Sequence, residues 1–257
     1  STTLLNGAIL PSPEPVNRVV PLDLFPTSIL DSVLVQKTYS AQYPSEFGGG
    51  VLQLRTKKST DEFFWKVSST LGMEQNVNFN NGFTIPGGGS DALGFDDGYR
   101  DIPAPLLEAT AGDQQLRRFS PFLGTGYTQE ELQTIGRSLR NEYNPELQDL
   151  PANFGLQTSM GNSHELGSNG AKINYLAAVN YSNSWDTEII ERNSYKNSST
   201  ASGGLEIEDD LDFFGTEHSI DVSSIVTAGL DFNHNHNVRV TSTLLRKTDD
   251  RVNELTG

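Results

Sequence analysis

Alternation of apolar and polar residues is the clearest pattern in this chain. From residue 171 to residue 185, apolar side chains recur at every second position, and shorter alternating segments lie near 63–74, 154–160, 220–232 and 238–244. Because successive side chains of a strand point to opposite faces, each segment predicts a strand with one apolar and one polar face. We therefore expect five antiparallel strands.

Two architectures produce this alternation. A soluble or surface β-sandwich that binds carbohydrate or protein buries its apolar face, whereas a transmembrane β-barrel turns that face to lipid. Alternation alone favours the sandwich. Segment lengths of about ten to fifteen residues, small polar residues on the other face and aromatic residues near the segment ends favour the barrel. These aromatic residues are Phe63, Trp65, Tyr181, Trp185 and Phe232.

The connectors between the predicted strands alternate in length. About seventy residues separate the first two segments and about thirty separate the third and fourth, whereas 162–170 and 233–237 are short connectors. Outer-membrane barrels combine long extracellular loops with short periplasmic turns. We therefore expect extracellular loops at about 80–152 and 187–211. Five strands cannot close, so the barrel is expected to continue beyond residue 257.

Residues 1–58 have a different pattern, with short elements joined by turns. Consecutive glycines adopt backbone conformations that other residues resist, so they predict a chain reversal. The predicted features are a turn at Asn6-Gly7, a helical turn at 26–31, strands at 33–35 and 51–55, and a reversal at Gly48-Gly49-Gly50.

The segment from Asp31 to Lys57 combines several of these features in a defined order. An acidic residue begins a short strand, a stretch of small residues ends in glycines, and a final strand ends in Thr-Lys. This order resembles the end of the plug domain of TonB-dependent outer-membrane receptors, where the chain then enters the barrel. The matching positions are Lys37, Gly48, Gly49, Gly50, Thr56 and Lys57.

The resemblance implies a fold, a location and an activity. Residues 1–58 would be the C-terminal part of an α/β plug domain, and residues 62–257 the N-terminal part of a transmembrane antiparallel β-barrel, so the fold would be dominated by β-structure. Such a receptor is not an enzyme; it takes up a ligand across the outer membrane and contacts outer-membrane lipid. The inner-membrane TonB complex would act through a segment outside this sequence, and a surface lipoprotein or another extracellular partner would fit the same architecture.

The match departs from the commonest pattern of the family at residues 43–47. Tyr-Pro-Ser-Glu-Phe stands there in place of the usual Ala-Leu-Tyr-Gly stretch. Residues 22–26 resemble a subgroup of large receptors that often carry an extra N-terminal domain. Receptors for siderophores, cobalamin, glycans and peptides share this architecture, so the transported ligand stays unassigned.

Composition excludes several other classes of protein. The chain has 18 Lys and Arg residues against 33 Asp and Glu residues, a net charge of -15, which argues against a nucleic-acid partner. Cysteine is absent, so disulfides and thiolate metal sites are excluded. No run of about twenty apolar residues predicts a transmembrane helix, and no signal peptide is visible.

The first long loop contains the candidate ligand-binding residues. Asp96, Asp97, Tyr99 and Arg100 lie in a stretch rich in glycine and aspartate. Clustered carboxylates on a flexible backbone could bind Ca²⁺, although the spacing does not fit an EF-hand loop. The alternative is a loop in which aspartate and glycine form turns and Arg100 pairs with a neighbouring aspartate.

Three other local features predict structure more than chemistry. Thr128 and Glu131 form a capping box that predicts a helix through Arg140. The acidic run at 206–210 predicts a solvated loop tip. His234 and His236 lie in a predicted turn with no further ligand nearby, so no metal site is expected. No motif for a catalytic nucleophile, a phosphate loop or a zinc hydrolase occurs.

Overall fold

A computed structural model describes residues 2–13, 20, 22–38, 40, 43, 49–58, 60, 62–111, 115–140, 144–167, 170–197, 204–233 and 235–256. Gly48 and His234 lie outside this described part. Most of the described residues lie in strands, which confirms the prediction of a fold dominated by β-structure. None of the described helices has the length and apolar character needed to cross a membrane.

The described elements run as follows. The strands are β1 (Thr2–Leu5), β2 (Ala8–Ile9), β3 (Leu30–Gln36), β4 (Val51–Thr56), β5 (Phe64–Gly72), β6 (Asn81–Thr84), β7 (Glu146–Asp149), β8 (Asn153–Leu166), β9 (Ala171–Asn197), β10 (Leu205–Asn233) and β11 (His236–Thr256). The helices are α1 (Ala104–Ala109) and α2 (Gln129–Ser138), and single 3-10 turns occur at Leu22–Leu24, Thr27–Ile29 and Asp91–Leu93.

The first sheet is formed by residues 2–56, with strand order β2-β1-β4-β3. Strand β4 pairs in parallel with β1 and antiparallel with β3. The predicted turn between β1 and β2 is confirmed, since Asn6 and Gly7 have φ values of 51° and 91°. The predicted strands at 33–35 and 51–55 and the helical turn within 26–31 are confirmed as well.

The second sheet contains the five strands that the alternation predicts, in the order β11-β10-β9-β8-β5. Every neighbouring pair is antiparallel. The sheet is open, with β5 and β11 at its edges, and the described strands form no closed barrel. This arrangement agrees with the expectation that five strands cannot close.

Two of these strands are longer than the alternation predicts. Strand β9 has 27 residues and β10 has 29, so strand structure extends into the segment 187–211 that the sequence predicts as a loop. The acidic run at 206–210 lies in β10 and not at a loop tip. Backbone pairing continues from Thr216 to Leu205, and a ladder of backbone hydrogen bonds needs no apolar face to form.

The long connection between β5 and β8 contains structure of its own. Strands β6 and β7 pair as an antiparallel two-stranded sheet. Helix α2 begins at the predicted capping box: the Thr128 hydroxyl accepts a hydrogen bond from the Glu131 backbone N–H, and the Glu131 carboxylate accepts one from the Thr128 backbone N–H. The predicted helix is therefore confirmed, although it ends at Ser138.

One face of the second sheet packs against residues 2–58, and we call it the inner face. Leu176, Ala178 and Ile225 are buried there in one apolar cluster with side chains from residues 2–58. The members from residues 2–58 are Leu5, Leu10, Val20, Leu24, Phe25, Ile29 and Leu54. The inner face therefore contributes few large apolar side chains, and residues 2–58 contribute most of the core.

Polar contacts complete this packing. The Ser223 hydroxyl donates to the backbone carbonyl of Leu24 at 2.5 Å. The hydroxyls of Ser28 and Ser159 lie 2.7 Å apart. Buried hydroxyls need hydrogen-bond partners, so these pairs allow a polar sheet face to be covered by protein.

Candidate functional site

The opposite face of the second sheet, the outer face, exposes large apolar side chains on all five strands. Each of these side chains is between 37% and 75% exposed. The register places them side by side, because Trp65 pairs with Met160 and Val226 lies beside Ala177. We call this set the outer apolar surface: Trp65, Val67, Leu71, Phe154, Leu156, Met160, Ile173, Tyr175, Val179, Val226, Val238, Val240 and Leu244.

The extent of this surface follows from strand geometry. From Ile173 to Tyr181 a strand rises about 27 Å, which a tilt of about 40° reduces to about 21 Å. Five strands span about 24 Å in width. At one end the connections to the next strand are short, from Leu166 to Ala171 and from Asn233 to His236. At the other end lie the long connection and the extended part of β9 and β10.

Residues 83–100 fold back over the outer face beyond the long-connection end of this surface. The Phe83 backbone N–H donates to the Thr216 hydroxyl at 3.0 Å, and the Tyr181 hydroxyl donates to the carbonyl of Ala92 at 2.6 Å. The Gly94 carbonyl accepts hydrogen bonds from the Thr248 hydroxyl and the Arg246 guanidinium. This segment is therefore attached to β9, β10 and β11.

Gly94 lies close to the sheet. Its φ value is 72°, and an added Cβ would lie 3.1 Å from the Thr248 hydroxyl and 3.3 Å from Ile220 Cγ2. A larger residue would be strained by the backbone conformation and by these contacts. Glycine thus allows the backbone to approach the sheet and present its carbonyl to Arg246.

A cavity of about 450 Å³ lies between residues 83–100 and the sheet. Its wall includes Trp185 and His218, whose rings stack at 3.9 Å with an angle of 7° between them. The residues that line it and carry polar chemistry are Asp91, Asp96, Arg100, Trp185, His218, Arg246, Thr248, Asp249 and Asp250. The position of Trp185 differs from the predicted aromatic end of a membrane-facing segment, because residues 83–100 cover it.

The groups around His218 set its pKa and its hydrogen bonding in this cavity. Burial lowers the pKa of His218 from its usual value, and the negative charges of Asp250 and Asp91 oppose that effect. His218 Nε2 lies 3.1 Å from the Asn183 side-chain oxygen. A neutral imidazole that donates from Nε2 keeps Nδ1 as a hydrogen-bond acceptor.

The structure separates the four predicted ligand-binding residues into two pairs. Asp96 and Arg100 line the cavity. Asp97 instead accepts hydrogen bonds from the backbone N–H groups of Gly89 and Tyr99, and the Tyr99 ring lies 3.9 Å from the Arg140 guanidinium. Asp97 and Tyr99 therefore stabilise the loop itself.

Arg100 pairs with a neighbouring aspartate, as the alternative interpretation of this loop predicts. Both of its terminal nitrogens donate to the Asp91 carboxylate at 2.8 Å. The hydrogen bond from Arg100 holds the pKa of Asp91 below its usual value. Among the described residues, no three His, Asp or Glu side chains converge on a site that could hold a metal ion.

Sequence reasoning missed Trp185, His218, Arg246 and Asp250 as cavity residues. The alternation places Trp185 on the outer face, but its neighbours on that face depend on the register between strands. The register puts His218 opposite both Trp185 and Asp250. A local sequence pattern does not reveal pairs that lie more than thirty residues apart in the chain.

The motif residues that the structure describes have structural contacts. Thr56 is buried, and its backbone N–H donates to the Asn6 side-chain oxygen at 2.9 Å. The Lys57 ammonium lies 5.8 Å from the centre of the Phe64 ring. Gly49 has a φ value of 91°, which fits the predicted chain reversal, and Lys37 directly follows β3.

Comparisons with known proteins do not identify a family for this chain. No protein-family model, no curated protein and no solved structure matches it. The functional interpretation therefore rests on the sequence motif, the two faces of the second sheet and the cavity.

Proposed function

We propose that this chain is part of a TonB-dependent outer-membrane receptor that takes up a ligand across the outer membrane. Residues 1–58 would form the C-terminal part of its plug, and residues 62–257 the first strands of its barrel. The resemblance of the segment 31–57 to the end of a plug domain supports this assignment. The polarity of the second sheet supports it independently.

The exposed outer apolar surface is the observation that carries the proposal. In a soluble sandwich the apolar face of a sheet is buried and the polar face meets water. Here the face with Ser159, Asn174 and Ser223 is covered by residues 2–58, while the apolar face is exposed. A lipid environment is the solvent in which this arrangement is favourable.

The free energy of this transfer to lipid is large. Full burial of one large apolar side chain contributes about 1.5–3 kcal/mol. The thirteen side chains of the outer apolar surface are about half exposed on average, so transfer to lipid would contribute on the order of 10 kcal/mol. This is comparable to the whole free energy of unfolding of a typical domain.

The dimensions and an aromatic residue also support a membrane location. The height of about 21 Å approaches the apolar band of about 25 Å that outer-membrane barrels present. Phe232 lies one residue from the end of β10 at the short turn and is 50% exposed. An aromatic ring at the edge of an apolar band suits a membrane interface.

Single cysteines would test this placement, because the chain contains none. Val179 and Tyr195 are both in β9 and on the outer face, with exposures of 45% and 55%. Val179 lies within the outer apolar surface, and Tyr195 lies in the extended part of the strand. In intact cells a water-soluble maleimide is expected to label Tyr195→Cys, whereas only a lipid-soluble maleimide labels Val179→Cys.

Equal labelling of both cysteines by the water-soluble reagent would contradict the proposal. Together with a purified chain that stays monodisperse without detergent, it would favour the alternative of a soluble or surface β-sandwich that binds carbohydrate or protein. Labelling after denaturation provides the control, since both cysteines must then react to the same extent.

A further inference from the structure

We propose that the cavity beneath residues 83–100 binds a small organic cation, a primary ammonium or guanidinium compound with a short apolar body. This site lies on the outer face, whereas residues 2–58 occupy the inner face, so it is separate from any route through the plug. The inference does not depend on a membrane location for the sheet.

Both arginines of the cavity are already engaged. Arg100 donates two hydrogen bonds to Asp91. Arg246 donates to the Gly94 carbonyl, and its guanidinium lies 4.3 Å from the centre of the Phe95 ring. An anionic ligand would have to compete with Asp91 for Arg100, and the other carboxylates of the lining would repel it.

Two carboxylates of the cavity, those of Asp96 and Asp250, accept no hydrogen bond from an arginine among the described residues. Asp250 forms no hydrogen bond or ion pair with a described residue, although it lies opposite His218 in the register of β10 and β11. Among the described residues, Asp96 accepts a hydrogen bond from the backbone N–H of Gly98. Arg100 also interacts electrostatically with Asp96 and Asp250. The lining nevertheless holds four carboxylates, those of Asp91, Asp96, Asp249 and Asp250, against the two guanidinium groups of Arg100 and Arg246, so its net charge is negative. A cation is the ligand that balances it.

The aromatic and apolar lining suits an organic cation better than a metal ion. The stacked rings of Trp185 and His218 stand beside Asp250, and indole and phenyl faces attract ammonium and guanidinium groups. Ile220 and Val252 supply an apolar surface for the body of the ligand. A hard metal ion would need six or more oxygen ligands, which the described lining does not bring together.

The size of the cavity suits a small organic molecule. A volume of about 450 Å³ lies within the range of small-molecule sites.

The probe for this site is 2-amino-1-phenylethanol, which is cationic at neutral pH and carries a hydroxyl beside its ammonium group. Its neutral counterpart is 1-phenylethane-1,2-diol, in which a hydroxyl replaces the ammonium. Isothermal titration calorimetry of the purified chain is expected to show saturable binding of the amine. Binding of the diol is expected to be at least about tenfold weaker, because the diol lacks the charge.

A pair of variants in β11 tests the role of Asp250. Glu254 is an exposed carboxylate on the same strand and the same face, four residues further along, and it does not line the cavity. Asp250→Asn is expected to weaken binding of the amine about tenfold, whereas Glu254→Gln is expected to change it less than about twofold. Asp96→Asn is a second cavity variant, and circular dichroism checks that each variant is folded.

Three results would overturn the proposal. They are equal affinity for the amine and the diol, equal binding by the Asp250→Asn and Glu254→Gln variants, and the absence of saturable heat at millimolar amine. Each of these results leaves the cysteine labelling of Val179 unaffected, so failure of the cation site and failure of the receptor assignment can be distinguished.

Discussion

Replacing Val226 with arginine introduces a positive charge at the centre of the outer apolar surface. Val226 is 52% exposed in β10. It is four residues from Val222 and four from Leu230, which lie at the two ends of the apolar rows. Each end is therefore about 13 Å away along the strand. An arginine side chain extends about 7 Å, so it would not reach either interface.

The expected cost depends strongly on the solvent around Val226. Arginine at the midplane of a bilayer destabilises a barrel by about 2–4 kcal/mol, whereas an exposed substitution in water usually changes stability by less than about 0.5 kcal/mol. A cost of about 3 kcal/mol lowers the folding equilibrium constant by more than about a hundredfold. The two environments are thus separated by an easily measured difference.

Urea unfolding of the full-length receptor in phosphatidylcholine liposomes, followed by tryptophan fluorescence, measures this difference. Ile207 provides the matched control, because it is in the same strand, is 55% exposed and pairs with Tyr195 beyond the apolar surface. The Ile207→Arg variant is expected to unfold at the wild-type urea concentration. If Val226→Arg also unfolds there, the outer apolar surface is not in contact with lipid and the receptor assignment fails.

Three further predictions concern local features. Gly49→Ala is expected to lower the free energy of unfolding by about 1–2 kcal/mol, because φ is 91° at Gly49. Gly50→Ala is the control and should leave the free energy of unfolding nearly unchanged. Urea midpoints measure both effects. Burial lowers the pKa of His218 below its usual value of about 6.5. As the pH falls below about 6.5, the unfolded chain therefore binds more protons than the folded chain, and the free energy of unfolding should decrease. His218→Gln should remove this decrease, whereas His236→Gln should not. Thr128→Ala should speed hydrogen exchange in α2, since loss of an N-cap costs about 1 kcal/mol.

Signals within a few residues predicted most of the elements. Alternation predicts a strand because the strand period is two, and it located β5 and parts of β8 to β11. The Asn6-Gly7 turn and the Thr128 capping box depend on four or five residues each, so they too are visible in the sequence. The five-stranded order follows once the strands and the short connectors are known.

The extended part of β9 and β10 could not be predicted in this way. Residues 186–190 read Asp-Thr-Glu-Ile-Ile, which lacks regular alternation. The strands persist there because β10 supplies backbone partners on the neighbouring strand. Backbone pairing depends on residues distant in sequence, and no side-chain pattern reports it.

The cavity shows more clearly which features a local sequence pattern cannot predict. The glycines and aspartates around residue 96 drew attention to one wall of the site, and Arg100 and Asp96 do line it. The other wall consists of Trp185, His218 and Asp250, which come from three strands. Their proximity is set by the register, so it emerges only when the sheet is assembled.

The two proposals have a joint consequence for residues 83–100. Strand β9 contributes Val179 to the outer apolar surface and Trp185 to the cavity, and both side chains lie on the same face. If that face meets lipid, the cavity lies on the outside of the barrel wall, just beyond the bilayer. A cation could then enter from the surrounding solution without passing the plug. Because Arg246 and Thr248 hold Gly94 to this wall, a bound cation would stabilise the attached form of residues 83–100 and is not expected to be the transported ligand.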